Sequence, residues 1–135
     1  MDYLITAVLS VFGFVALYFV GKPIVEFLKI RAKIVKSMIF FAKADNVMLG
    51  PDSALSIEAR KVYREHASDL IASSTLITLH SVWAKLGLLP SMQDIDEAKR
   101  NLIGLSNGVG VQGEQLNNSK RVDNIRKALR IRTKS

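Results

Sequence analysis

Residues 3–44 read YLITAVLSVFGFVALYFVGKPIVEFLKIRAKIVKSMIFFAKA, and the change of character at Lys22 decides the fold. No charged side chain stands between Asp2 and Lys22. Wound as a helix, residues 3–21 are about 28 Å long, close to the ~30 Å hydrocarbon core of a bilayer. The spacing therefore predicts a transmembrane anchor over residues 1–22. A cleaved secretory signal is the competing reading, but it calls for a basic start and a small-residue cleavage site. This chain opens Met1-Asp2-Tyr3 and leaves the segment through Tyr18-Phe19-Val20-Gly21.

Tyr3 and Tyr18 lie near the two ends of the segment, where aromatic rings favour the headgroup boundary, and the basic residues follow it. Positive-inside asymmetry then places the N-terminus outside and everything after Lys22 in the cytoplasm. Thr6, Ser10 and Gly13 share one face of the helix, a set of small residues that admits close approach of a second helix and implies a homo-oligomer. Small residues scattered over a lipid-facing helix are the plainer reading of the same three.

Beyond the span, Gly21, Lys22 and Pro23 predict a break, because proline suits the first turn of a new helix. Residues 23–44 follow with helical period. Glu26, Lys29, Lys33 and Lys36 form a narrow polar strip, and Ile24, Phe27, Leu28, Ile34, Val35, Met38, Ile39 and Phe41 form the opposite face. Arg31 and Phe40 interrupt the pattern. A basic amphipathic helix entered from a span is expected to lie among anionic headgroups. Two alternatives stand beside it: packing of its apolar face against later helices, and a helix that continues through Pro23.

Residues 45–107 predict a helical cytoplasmic domain. Asn46, Gly50, Pro51 and Asp52 give turn chemistry, and Asp52, Ser53 or Ser56 can cap the next helix. The helical pattern includes Ala59, Val62, Tyr63, Leu70, Ile77 and Ala84, with a break expected near Ser73-Ser74-Thr75. No charge falls between Leu70 and Ala84, which raises a second span. His80, Lys85 and the hydroxyls favour a buried helix of the domain instead. Ser91 with Asp94 three residues on predicts the next helix start, and Ile95, Ala98, Leu102 and Leu105 are its core stripe.

The stretch SNGVGVQGEQ spells G-x-G-x-x-G with Gly108, Gly110 and Gly113. A dinucleotide-binding turn needs a strand before its glycines and a helix opening at the last one. Here a helix precedes and a polar run follows, so residues 108–118 are expected to be a flexible linker. Residues 119–135 then predict a basic C-terminal helix and tail, with Ser119 as its cap and Val122, Ile125 and Leu129 on one side. It can dock on the domain, lie on anionic lipid or touch nucleic-acid phosphates, and for a tethered chain nucleic acid is the least favoured.

Net charge is +7 over 135 residues, concentrated in two blocks. Residues 22–43 carry six basic and one acidic side chain, residues 120–135 seven and one, and the stretch between them is mildly acidic. Lys22, Lys29, Lys33, Lys36, Lys43, Arg126, Lys127 and Arg130 are accordingly the candidate contacts to anionic membrane lipids. There is no cysteine, which excludes disulfides and thiolate metal sites.

The only histidines are His66 and His80. Without an H-E-x-x-H, a P-loop or a nucleophile elbow, nothing in the sequence implies a cofactor, a metal or an enzyme. The run from Glu58 to Asn107, above all KLGLLPS and DEAKRNLIGLSN, resembles stretches of small, uncharacterised bacterial membrane proteins that join one N-terminal span to a helical cytoplasmic part. It covers a little over a third of the chain and carries over no activity or functional residue. The resemblance implies a bacterial inner membrane.

The sequence thus predicts an all-α protein with one transmembrane helix, a basic amphipathic helix and a small bundle. Its expected function is that of a membrane-anchored interaction module that binds itself or a cytoplasmic protein. A membrane-perturbing effector, holin-like or of the antiviral-immunity type, is the alternative.

Overall fold

The computed structural model describes residues 1–46, 50–77 and 79–132, with the side chains of residues 43–46 outside that description. The described residues are all-α: α1 spans Asp2–Asn46, α2 Ala54–Thr75, α3 His80–Lys85, α4 Met92–Gly108 and α5 Gln115–Ala128. Lys43 lies in α1, but its side chain falls outside the description, as do residues 47–49 of the expected turn and the last three residues of the basic tail.

The break expected at Gly21-Lys22-Pro23 does not occur, and α1 runs through Pro23 as one helix of 45 residues. It is about 68 Å long. Proline removes one backbone donor, which leaves the Phe19 carbonyl without its usual helical partner. That loss is local. Immediately after it, Ile24, Phe27, Ile30 and Ile34 pack into the hydrophobic core, and burial of this face holds the backbone helical across the break signals, so tertiary packing overrides local preference.

The two halves of α1 have different surroundings. Residues 2–19 are all exposed, whereas Phe27, Ile34, Met38 and Phe41 are buried at 4% exposure or less. The expected interfacial helix is thereby corrected, because most of the apolar face it would give to lipid lies in the protein core.

From there the chain folds as antiparallel neighbours, with α2 against α1, α4 against α2 and α5 against α4. Ser37 meets His66, and the rings of Phe41 and Tyr63 stack edge to face at 5.7 Å. Ala59, Tyr63, Ala67 and Leu70 of α2 interleave with Ile95, Ala98, Leu102 and Leu105 of α4, all within the core. The α4 stripe is the one expected from its spacing. Ile125 of α5 and Leu129 at its C-terminal end, both fully buried, close the bundle.

Caps set the ends. Ser53 accepts from the Ser56 amide at 3.2 Å, and Ser91 accepts from the Asp94 amide at 3.1 Å. The expected break at Ser73-Ser74-Thr75 ends α2, and its cause is visible. All three hydroxyls donate to carbonyls three residues back, at Leu70, Ile71 and Ala72, and such back-bonding competes with continuation of the helix. The uncharged stretch after Leu70 therefore makes no long helix; α3 has six residues. Leu79 enters it through left-handed backbone at φ 56°, a conformation that costs a leucine about 1–2 kcal/mol.

The linker expected over residues 108–118 is replaced by a short turn. α4 runs through Gly108, Val109 is buried, and α5 already begins at Gln115, so Ser119 lies inside α5 and caps nothing. The turn is fixed from both sides: Asn118, 1% exposed, donates Nδ2–H to the Gly108 carbonyl at 2.9 Å. Arg121 bridges Asn118 Oδ1 (2.8 Å) and Glu114 Oε2 (3.1 Å). Gly110 and Gly113 adopt positive φ, 73° and 86°, so these two glycines serve chain reversal.

Candidate functional site

The histidines were the first candidates for chemistry, and each has a structural task. His66 is 8% exposed and its Nε2 lies 2.7 Å from Ser37 Oγ, which ties α2 to α1. Burial lowers its pKa and Lys33 lowers it further, against the pull of Asp69 and Glu65, so the neutral ring is the favoured form. His80 closes the connection between α2 and α4. Its Nε2 lies 2.8 Å from the Pro90 carbonyl and its Nδ1 2.9 Å from Met92 Sδ. A carbonyl only accepts, so Nε2 carries the proton.

The candidate lipid contacts do not converge on one patch. Lys22, Lys29, Lys33 and Lys36 are exposed along α1, with Lys22 bonded to the Tyr18 hydroxyl at 3.0 Å and Lys29 paired with Glu26 at 3.5 Å. At helical rise they recede from Lys22 by about 10, 16 and 21 Å. Arg126 and Lys127 sit on α5, and Lys127 shares a hollow with Asp94 and Glu97, which offsets its charge. Arg130 reaches back to donate to the Gly87 carbonyl at 3.1 Å.

A basic group that sequence spacing missed assembles between α1 and the tail. Arg31, Arg130 and Arg132 line an open cleft of about 500 Å³ with Leu28, Ala32 and Val35. Arg31 also lies 3.5 Å from the Leu129 carbonyl. Its signal in the sequence was its place outside the lysine strip, a position that made sense only once a neighbour faced it.

Thr6, Ser10 and Gly13 do share a face. Thr6 donates to the Asp2 carbonyl and Ser10 to the Thr6 carbonyl, both at 2.8 Å, so neither hydroxyl needs water. A Cβ built on Gly13 meets nothing within 4 Å.

On the bundle, an open groove of about 700 Å³ runs between α2 and α4, floored by Ala67, Ile71, Ala72 and Ile103 and flanked by Arg64 and Lys99. Arg64 is steadied by Ser106 Oγ at 3.4 Å and Asn107 Oδ1 at 3.3 Å. An apolar floor with cationic walls suits the apolar face of an acidic helix. One helix, within Asp2–Ala42, is long and apolar enough to cross a membrane, and it is the only such helix among the described residues. Comparisons with protein families, with curated proteins and with solved structures find no match.

Proposed function

We propose that residues 3–21 of α1 anchor the chain in a bacterial plasma membrane with the N-terminus outside. The bundle then acts on the cytoplasmic face as an interaction module, binding a second copy or a cytoplasmic protein, and performs no catalysis. One observation carries this reading. A single continuous helix is uniformly exposed and apolar over its first half and is built into a protein core over its second. Apolar side chains such as Leu9, Phe12, Phe14 and Leu17, each 66% exposed or more, stand clear of the bundle core, and lipid is the solvent that accepts them. The lysines and arginines that follow attract anionic headgroups and set orientation.

The α2–α4 groove is the surface for a protein partner. The test has two parts. Reporter fusions at residue 135 should read cytoplasmic, and the chain should resist alkaline extraction from membranes; a periplasmic or extractable chain removes the anchor. Ile71→Arg with Ile103→Arg should abolish capture of the partner without altering extraction.

A second reading is favoured by the smooth face at Thr6, Ser10 and Gly13: oligomerisation in the bilayer by a membrane-perturbing effector. It predicts depolarisation of the host on induction, lost with Gly13→Leu. Unchanged growth and potential on strong induction speak against it.

A further inference from the structure

We infer that the connection between α2 and α4 is a second membrane contact, a shallow apolar foot that rests in the cytoplasmic headgroup layer beside the point where α1 leaves the bilayer. This rests on the reading that residues 3–21 span. The register of α2 against α1 supplies the position. Ser37 faces His66 and Phe41 faces Tyr63, so Leu76 falls opposite Phe27. It lines one cleft with Lys22, Pro23, Glu26 and Ile30. Phe27 is only on the order of 7–8 Å beyond Lys22 along the helix, and the headgroup region is about 5–8 Å deep on each side. The end of α2 therefore arrives at the lipid surface, and the connection leaves from there.

Its side chains divide accordingly. Ile77, His80, Leu89 and Pro90 are buried and hold the connection to the bundle. Leu76, Leu79, Leu86 and Leu88 point outward at 63–70% exposure, with Val82 at 45%. Several large apolar side chains exposed on one short connection mark a binding face. Leu79 holds this exposed position in left-handed backbone, at φ 56°.

The charges suit an anionic lipid surface. Lys22 lines the cleft that holds Leu76, the exposed Lys85 precedes Leu86, and Arg130 donates to the Gly87 carbonyl inside the connection. The acids on the cleft are Glu26 and Asp69, and Glu26 is already paired with Lys29. Apolar residues with a cationic rim describe interfacial insertion. A foot of this kind would hold the bundle at a fixed tilt to the bilayer, where α1 alone leaves it free to swing, and so would fix the direction in which the α2–α4 groove faces.

The natural lack of cysteine permits the test. Single replacements Leu79→Cys, Leu86→Cys, Phe12→Cys and Leu116→Cys in the full chain would carry an environment-sensitive fluorophore. Each protein would be reconstituted in vesicles of phosphatidylcholine and phosphatidylglycerol with a doxyl lipid whose spin label lies near the headgroup. Labels at residues 79 and 86 should emit to the blue and be quenched by the doxyl lipid, while the label at 116, at the opposite end of the bundle, stays water-like. Water-like emission at 79 and 86 with a lipid-like label at 12 overturns the foot and leaves the anchor standing. Blue emission there without doxyl quenching also overturns it, since a second protein surface then covers the leucines. A water-like label at 12 overturns the span, and the foot with it.

Discussion

Replacement of Gly108 by alanine should unfold the bundle far more readily than its chemistry suggests. A Cβ at this position would lie 2.4 Å from Asn118 Oδ1, 3.3 Å from its Cγ and 2.7 Å from an Arg121 guanidinium nitrogen. Asn118 is buried and already committed to the Gly108 carbonyl, so it cannot retreat and keep that bond. Overpacking costs roughly 1–3 kcal/mol, and a buried amide left unsatisfied adds about 1–3 kcal/mol. The gain in helix propensity from glycine to alanine returns at most about 1 kcal/mol. A net loss of about 2–4 kcal/mol follows, which for a small bundle is a fall in Tm on the order of 10–20 °C.

Gly104→Ala is the control for that substitution. The atoms nearest its Cβ belong to the Arg121 side chain, at 2.7 Å and beyond, and a long side chain that is partly exposed gives more readily than a buried asparagine, so its Tm should fall by less than that of Gly108→Ala. Thermal melts of the detergent-solubilised chains, followed by far-UV circular dichroism, supply the numbers, and Asn118→Ala completes a double-mutant cycle. In the Asn118→Ala background, Gly108→Ala should cost little. If Gly108→Ala melts with the parent, or if its cost is undiminished without Asn118, the steric argument fails.

Acidification should weaken the union of α1 and α2. The folded pKa of His66 lies below the usual value of about 6.5, because burial disfavours the charged ring. The unfolded chain then binds more protons, so stability is full above the unfolded pKa and is lost as pH falls through the folded one. Denaturant titrations from neutral to acid pH should show this slope, and His66→Gln should flatten it. Leu79→Gly should keep or raise stability, by up to about 1 kcal/mol of relieved left-handed backbone, while it reduces doxyl quenching of a label at residue 86 in anionic vesicles; a lower Tm would mean that the leucine packs inward. Glutamate at Lys22, Lys29, Lys33 and Lys36 together should give mixed orientation in a dual topology reporter, and a single orientation would show that these charges do not set it. Gly13→Leu should reduce crosslinked dimers of the full chain in membranes, and an unchanged dimer fraction would remove that face from the interface.

The sequence alone determined the helical class, the uncharged segment at residues 3–21, the core stripe Ile95, Ala98, Leu102 and Leu105, and the serine cap at Ser91, and it narrowed the cap of α2 to Asp52, Ser53 or Ser56. These are local properties: hydrophobic period, charge and capping chemistry act within a few residues and can be read in order. Tertiary structure decided what local signals left open or got wrong. Gly21-Lys22-Pro23 read as a break, yet packing of Phe27 and Ile34 against α2 carries the helix through. The glycines at 108–113 read as a linker, yet Asn118 and Arg121 close them into a packed turn. Arg31 looked like an interruption until Arg130 and Arg132 came to share its cleft, and the uncharged stretch after Leu70 looked like a buried helix until the fold left Leu76, Leu79, Leu86 and Leu88 exposed, with Leu76 beside Lys22. In each case the deciding neighbour is distant in the chain, and only folding brings it within reach.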